Sequence, residues 1–464
     1  MNRYKSYKEV ELPWLKEVPS HWKTSKLKYF VKSINGHAFK SSEFSNRGVR
    51  VIRISDFSDK GINNKKQIRI NIQNLSNNLD KYLIKTQDIL LCLTGGTVGK
   101  NCYVEKIDEK MYINQRVAII RGLDNINSNF LKYILKLNYV QNIISVLKTS
   151  LNDNISTEDI EKILIAFPPL QEQTQIANYL DWKINEIDKL IAKEKEKIRE
   201  LNDLKKITVS DIFMSKKEKN NKIVSKYEWI GEIPDYYKVY PLKKLCNKII
   251  DGTHQTPQYT SEGVPFLRVT DISKLEYGEN INWDSVAFIS KEEHKDLYKR
   301  CNPEKNDVLV SKNGTIGIPK IVDWNEEVSI FVSLCLLKLN NIVIPEWIFY
   351  YFLTYLTERE ISYGGKTGTI TNLHLNKIRE FKIPVPNLSK QTEIVKKINM
   401  AINKINNLIN KTNEQIQNLE SLKQSLISVV VTGQIDVRDV VIPEYEKLNL
   451  ENDAELEEEV EEDA

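Results

Sequence analysis

The sequence of 464 residues has no apolar run approaching the roughly 18 residues that a membrane-spanning helix needs. Its first residues, MNRYKSYKEVELPW, lack the apolar core of a secretory signal, so a cytoplasmic location is expected. Cysteine is scarce and odd in number: Cys92, Cys102, Cys246, Cys301 and Cys335 include no C-x-x-C pair. That argues against a disulfide framework and against a zinc site. The five histidines, His21, His37, His254, His294 and His374, are scattered without metal-ligand spacing. What is present, 41% hydrophobic and 28% charged residues, is the composition of a globular chain, and the length predicts two to four domains.

Net charge is low, +4, but unevenly spread. The last 14 residues, ENDAELEEEVEEDA, hold nine acids and no base, so the 450 before them carry an excess of 13 positive charges. The acidic tail reads as a solvated, disordered segment. The basic body suits a polyanionic partner such as DNA.

The chain is written twice. WLKEVPSHW at 14–22 returns as WIGEIPDYY at 229–237, and GVRVIRISDFS at 48–58 as GVPFLRVTDIS at 263–273. DILL at 88–91 returns as DVLV at 307–310, and GGTVG at 95–99 as NGTIG at 313–317. FPPLQEQTQI at 167–176 returns as PVPNLSKQTEI at 384–394. The order is kept and the offset drifts by only a few residues around 215–218. A period this long means that each copy is a folding unit, not a solenoid repeat.

Each copy has two textures. Residues 1–170 and 222–387 contain short β-rich runs (VRVIRI, DILLCL, QRVAII; PFLRV, DVLVS, SIFVSLCLLKL) parted by Gly, Asn and Asp turns. Helical patterns follow at NSNFLKYILKLNYVQNIISVL and PEWIFYYFLTYLTER, predicting α+β domains. Residues 171–215 and 388–432 are different. Neither 171–214 nor 389–432 contains proline or glycine. Apolar residues recur at alternating spacings of four and three, as Leu180, Ile184, Ile187, Ile191, Ile198, Leu201 and Ile212. The second copy repeats them 218 residues on as Ile398, Ile402, Ile405, Ile409, Ile416, Leu419 and Val430. The breaks repeat too, Glu194 with Thr412 and Lys205 with Lys423. This predicts two long helices packed on a heptad seam, and makes KEKEKIRE a solvated face. Residues 433–464 form a C-terminal tail.

Connectivity fixes the expected orientation. A helix of about 42 residues is about 63 Å long, whereas a domain of about 165 residues is only about 40 Å across. The second domain joins the end of one helix to the start of the other, so the helices must run antiparallel. The expected architecture is α+β: two globular heads, one at each end of an antiparallel helix pair, related by a pseudo-twofold axis. Such a chain suits a protein that reads two sites at fixed separation.

The GVPFLRVTDIS, KNGTIG and P-x-P-x-L-x-x-Q-x-x-I motifs, each followed by a long helix and present twice, resemble the specificity subunit of type I restriction–modification enzymes. The resemblance covers about 10–432. It implies that each head is a target recognition domain reading one half of an interrupted double-stranded DNA sequence, with the helices setting the gap. It implies two methyltransferase subunits docked on this chain, methylating adenine with S-adenosylmethionine, and motor–nuclease subunits that use ATP and Mg. It also implies that this chain itself is non-catalytic and holds no cofactor.

Polar loops beside the strands are the candidates for gripping DNA. In head one, NGHAFKSSEFSNRGVR at 35–50 offers Lys40, Ser41, Ser42, Arg47 and Arg50. In head two, DGTHQTPQYTSEG at 251–263 offers Thr253, His254, Gln255, Thr256, Gln258 and Tyr259. Arg forks onto guanine and Gln onto adenine in the major groove. Arg53 and Arg268 match between copies and read as phosphate-positioning or structural. SLNDN (150–154) and YGGKTGTITN (363–372) are further candidates, with Lys366 able to meet a phosphate.

Enzyme readings fare poorly. A DNA amino-methyltransferase needs an N/D-P-P-Y/F loop, and FPPL at 167–170 lacks both the polar residue and the final aromatic. Asp284 with Glu293-His294-Lys295 is a minimal nuclease pattern, but KEEHKDLYKR reads as an exposed helix. LTGGTVGK at 93–100 looks like a phosphate loop, yet only three residues part Gly95 from Gly99, and Asn101 follows Lys100 where Ser or Thr is required. The second copy places Ile318 where Lys100 stood. The stretch is therefore a tight turn, in which Thr97 and Thr315 can approach the DNA backbone.

Overall fold

Alternation along the strand Ile89–Cys92 decides how the first half of the chain folds. Ile89 and Leu91 point into one apolar cluster, Leu90 and Cys92 into another, so the strand is buried on both faces. It sits inside a four-stranded antiparallel sheet in the order Asn101–Tyr103, Ile89–Cys92, Val117–Gly122, Val31–Asn35. The second half builds the same sheet from Pro319–Ile321, Val308–Ser311, Leu334–Leu339 and Cys246–Asp251. Here Val308 and Val310 face one cluster, Leu309 the other.

The computed structural model describes residues 2–12, 15–58, 61–63, 67–71, 79–147, 154–218, 221–273, 275, 279–362 and 372–448. The chain divides into two compact units, Met1–Lys193 with Gln415–Leu450, and Glu194–Glu414 with Glu451–Ala464. Both are α+β. Each carries a second, mixed sheet: Met111–Ile113, Val49–Ile52, Ile68–Ile70, Phe44–Ser45 in unit 1, and Ser329–Ile330, Val264–Leu267, Ala287–Ile289, Tyr259–Thr260 in unit 2. In both, the first two strands run parallel and the rest antiparallel. A strand pair also recurs, Lys23–Lys26 with Leu164–Phe167 and Lys238–Pro241 with Lys382–Val385. The duplication is thus one of topology, in both four-stranded sheets and in this strand pair.

Two 44-residue helices, Leu170–Phe213 and Leu388–Val431, carry the heptad residues. In unit 1, Ile176, Ala177 and Leu180 near the start of the first helix share a core with Ile427, Val430 and Val431 at the end of the second. Asp188 pairs with Lys423 at 2.7 Å. In unit 2, Val209 and Phe213 at the end of the first meet Ile394, Ile398 and Ile402 at the start of the second. Start meets end in both units, so within each unit the two helix segments run antiparallel. Ser215 (φ +49°) and Gly433 (φ +73°) terminate them in the same left-handed conformation. Thr412 breaks the stripe at little cost, because its buried hydroxyl donates to Leu408 O of its own helix.

The duplicated P-x-L-x-x-Q motif locks each helix to its unit. Gln173 is buried, accepts from Asn127 N and donates to Pro168 O. Gln391 accepts from Ile344 N and donates to Ile342 O and Pro386 O. One glutamine in each copy thereby satisfies the lead-in to the long helix and the cap region of a shorter one, Ser128–Leu135 or Pro345–Phe352. FPPL is this lead-in. In unit 1, buried Glu172 in the first helical turn also accepts from Tyr4 Oη (2.6 Å) and Trp22 Nε1 (3.0 Å), and meets His21 Nε2 at 2.7 Å. That ties the WLKEVPSHW segment to the helix N-terminus.

Candidate nucleic-acid interface

Main-chain hydrogen bonds gather loops from distant parts of the chain at one edge of each unit. In unit 1, His37 N donates to Ile113 O, Gly36 N to Val117 O, Leu93 N to Arg116 O and Ile155 N to Leu93 O. Isolated bridges join His37 to Asn114 and Thr94 to Asn154. The segments 36–37, 93–97, 114–116 and 154–155 therefore form one continuous seam. Unit 2 repeats it bond for bond. Thr253 N donates to Ile330 O, Gly252 N to Leu334 O, Lys312 N to Ser333 O and Leu373 N to Lys312 O. Glycine is required where the two sheets cross. A Cβ on Gly36 would lie 2.0 Å from Asn114 O, and one on Gly252 2.0 Å from Ile330 O.

On this frame the candidate residues fall unevenly. Thr253 is half-buried and starts its loop at the seam; His254, Gln255, Thr256, Gln258 and Tyr259 follow it, all exposed. The side chains of Gln255, Thr256 and Gln258 have no partner among the described residues, so they are free to bond a ligand. Tyr259 opens the edge strand of the mixed sheet, its ring against Phe266. Thr97 and Thr315 are exposed on the two turns of the seam. Lys40, Ser41 and Arg47 are exposed in unit 1 on either side of its edge strand Phe44–Ser45, and Glu43 caps the short turn before that strand by accepting from Lys40 N.

Three arginines differ from a surface role. Arg50 is only 3% exposed: it lies on a central strand, faces inward, and its guanidinium donates to Asn63 O. Burial lowers its pKa, the sign of a cation drawn out of water. That burial fits a structural place for Arg50 better than a surface contact. Arg53 and Arg268 brace the short turns that follow the matched strands. The Asp56 carboxylate accepts from Arg53 N at 2.7 Å and that of Asp271 from Arg268 N at 2.7 Å, and each guanidinium faces the same acid. The geometry fits the structural alternative for both. Lys366 lies outside the described residues, as do 150–153 of SLNDN.

Charge is organised differently in the two units. In unit 2, Asp251 ends the strand that feeds the reading loop and is 5% exposed. It pairs with Lys312 (7% exposed) at 3.1 Å, with Arg300 at 2.9 Å and with His254 at 3.2 Å. Burial alone would raise the Asp251 pKa, but Lys312, with smaller help from His254 and Arg300, outweighs it and holds the carboxyl below its usual range. The matching backbone positions of unit 1 are Asn35 and Leu93, which carry no charge.

Sequence reasoning missed two residues at the seam. Gln115 and Arg116 lie between the strands Met111–Ile113 and Val117–Gly122, both exposed, and line an open cleft of about 430 Å³ with Thr94, Gly95 and Asn154. QRVAII reads as a strand, and only the fold shows that its first two residues form the turn before it.

The residues behind the other readings have definite places in the fold. His294, on the helix Lys291–Arg300, is buried against Ser329 Oγ (3.0 Å) of the strand Ser329–Ile330, not exposed as the run KEEHKDLYKR implied. Lys100 donates to Phe57 O, a main-chain acceptor. Burial pushes the Cys102, Cys246 and Cys301 thiols up to about 12, which leaves them unreactive near neutral pH. Among the described residues no cluster of three or more His, Cys, Asp or Glu side chains could hold a metal ion, and no helix is long and apolar enough to cross a membrane.

Comparison with known proteins gives a consistent result. A family described as "Type I restriction modification DNA specificity domain" matches residues 19–202 and again 198–418. The chain is 27% identical over 444 residues to the putative type I restriction enzyme MjaX specificity subunit of Methanocaldococcus jannaschii, covering 93% of this chain and 97% of that protein. It is 23% identical over 442 residues to the type I restriction enzyme EcoBI specificity subunit of Escherichia coli, covering 92% and 89%. A chain solved in work on complex assembly and conformational transition of the type I R-M system shares the fold, with a TM-score of 0.61 at 16% identity, over 90% of this chain and 99% of that one.

Proposed function

The chain belongs to the type I restriction–modification DNA specificity family and carries two of its domains, and from that premise we propose that each unit reads one half of an interrupted DNA target for a methyltransferase–endonuclease complex. One observation carries the proposal. The same hydrogen-bonded seam occurs in both units, yet it presents different side chains in each. A shared frame with exchanged surface residues is what two unlike half-sites require. In unit 2 the free amides of Gln255 and Gln258 supply adenine-type donors and acceptors; in unit 1 Lys40, Ser41 and Arg47 supply cationic and hydroxyl groups.

The long helices set the gap between half-sites and dock two methyltransferase subunits. Each unit leaves the same three leucines outside the helix seam: Leu170, Leu190 and Leu422 in unit 1, Leu388, Leu408 and Leu204 in unit 2, all about half exposed. Exposed leucine at three matched positions of a duplicated surface fits two copies of one apolar partner surface. Catalysis is assigned to the partners: S-adenosylmethionine to the methyltransferase subunits, ATP and Mg to motor–nuclease subunits, neither to this chain.

The test is the methylome of cells with and without this gene. An interrupted methyl-adenine motif that disappears with the gene is the expected result; methylation unchanged by the deletion overturns the proposal.

A further inference from the structure

We propose that Gln115 and Arg116 are base-reading side chains of unit 1, with Arg116 on a guanine and Gln115 on an adjacent adenine. The inference rests on the reading that the units bind DNA, and adds residues and base chemistry to it.

The backbone of this turn is held on every side. Asn114 N donates to Ile52 O, Val117 N to Asn114 O, His37 N to Ile113 O, Gly36 N to Val117 O and Leu93 N to Arg116 O. Two sheets and the GGTVG turn therefore fix where the two side chains start. Reading a base edge needs such a fixed origin, because a misplaced fork forfeits one of its two bonds. The side chains themselves are uncommitted. Both are exposed, and neither has a hydrogen-bond or ion-pair partner among the described residues. Other cations of the unit do find acids, as the half-buried Arg69 does with Glu109 and the exposed Lys447 with Glu105. Arg116 keeps its charge and all five donors for something outside the unit.

The second copy shows that folding does not demand these residues. The equivalent bonds, Phe331 N to Leu267 O, Leu334 N to Phe331 O, Thr253 N to Ile330 O and Lys312 N to Ser333 O, hold the same turn in unit 2. There the places of Gln115 and Arg116 are taken by Val332 and by Ser333, which is buried and whose hydroxyl receives Val269 N. A scaffold that closes equally well over Val-Ser leaves Gln-Arg unexplained by packing. Arg bidentate to guanine O6/N7 and Gln bidentate to adenine N6/N7 are the matching major-groove pairs. Thr94, Gly95 and Asn154 supply the polar wall of the cleft beside them.

The test uses the full chain assembled with its methyltransferase subunits, acting on a duplex library randomised in both halves of the methylated motif. Arg116→Ala should relax one guanine position in one half by roughly 5- to 150-fold, the discrimination of one bidentate pair, and Gln115→Ala the neighbouring adenine; the other half should stay as in wild type. Arg116→Lys separates base reading from phosphate contact. It keeps the charge but loses the fork, so it should relax the same guanine. If Arg116→Ala weakens all sequences alike and Arg116→Lys restores them, the residue contacts phosphate and the inference is wrong. Unchanged preference in both halves for every variant is equally fatal. Failure of the underlying reading looks different, because the wild-type complex would then methylate no interrupted motif at all.

Discussion

Replacing Lys312 by Met tests whether the charge cluster under the unit 2 loop sets that loop. Lys312 and Asp251 are both almost fully buried and 3.1 Å apart. Removing one partner of a buried pair costs about 3–5 kcal/mol, because the other charge is left desolvated. Arg300, about half exposed, still reaches Asp251 at 2.9 Å, which places the expected loss at the lower end, about 3 kcal/mol. In a unit of this size that is roughly 6–12 °C in Tm. The pH dependence has a definite sign. The folded pKa of Asp251 is depressed, so in wild type its contribution is present above the unfolded carboxylate value of about 3.9 and is lost as pH falls through the lower folded value. Without Lys312, burial dominates and the carboxyl titrates higher in the folded state. The gap between variant and wild type is therefore full near neutral pH and closes once Asp251 is protonated in both. Urea midpoints of unit 2 across about pH 3 to 7 read this directly. In the assembled complex, the half-site read by unit 2 should lose discrimination while the other holds. A loss under about 0.5 kcal/mol near neutrality, or the same loss at both ends of the pH range, would refute the account.

Other consequences follow from the same geometry. Glu172→Ala leaves the buried donors Trp22 Nε1 and Tyr4 Oη unpaired at roughly 1–3 kcal/mol each; an unfolding free energy from urea titration lowered by about 3 kcal/mol and faster amide exchange over 15–22 are expected, and an unchanged midpoint would contradict it. Gly252→Ala forces a Cβ against Ile330 O and should cost about 1–3 kcal/mol or more, with unit 2 melting earlier than unit 1 in a domain-resolved scan. Leu190→Glu with Leu422→Glu should weaken capture of a methyltransferase subunit at least tenfold at constant Tm, measured by titration; unaltered affinity removes the docking role of that face. Inserting a few residues at matched points in both long helices should change the tolerated gap between half-sites in the methylome, and a fixed gap would deny the helices their spacing role.

How much of this was legible in sequence depends on how local the cause is. The heptad stripe announced the long helices because Leu180, Ile187, Ile398 and Ile405 obey a period set by one helix alone. The turn at GGTVG was readable for the same reason: Gly95 and Gly314 both adopt positive φ, and their spacing excludes a phosphate loop. What failed was direction and distance. Arg50 alternates with Val49 and Val51, and nothing in VRVIRI tells which face of the strand a neighbouring sheet will cover. Asp251 and Lys312 are 61 residues apart, and they become a pair only because the strands they end flank the same strand, Leu334–Leu339. Gln115 and Arg116 were hidden inside an apparent strand, since a three-residue turn leaves no glycine or proline to mark it.

The duplication itself supplies the control that separates scaffold from reader. Several residues that both copies keep at one backbone position have an internal role: Gln173 and Gln391 on main-chain groups, Arg53 and Arg268 on Asp56 and Asp271, Gly36 and Gly252 under a neighbouring carbonyl. Where the copies differ on an unchanged frame, the side chains at Gln115, Arg116, Gln255 and Gln258 are exposed and without partners among the described residues. The Asp251–Lys312 pair is a third kind, internal yet unmatched, because unit 1 has Asn35 and Leu93 there. An internal charge pair that the shared frame does not need is best placed to shape what is unique to unit 2, the course of the loop from Thr253 to Gln258. Installing Asp and Lys at positions 35 and 93 of unit 1 should therefore leave the half-site read by unit 2 untouched; a change there would mean that the two units are not independent readers.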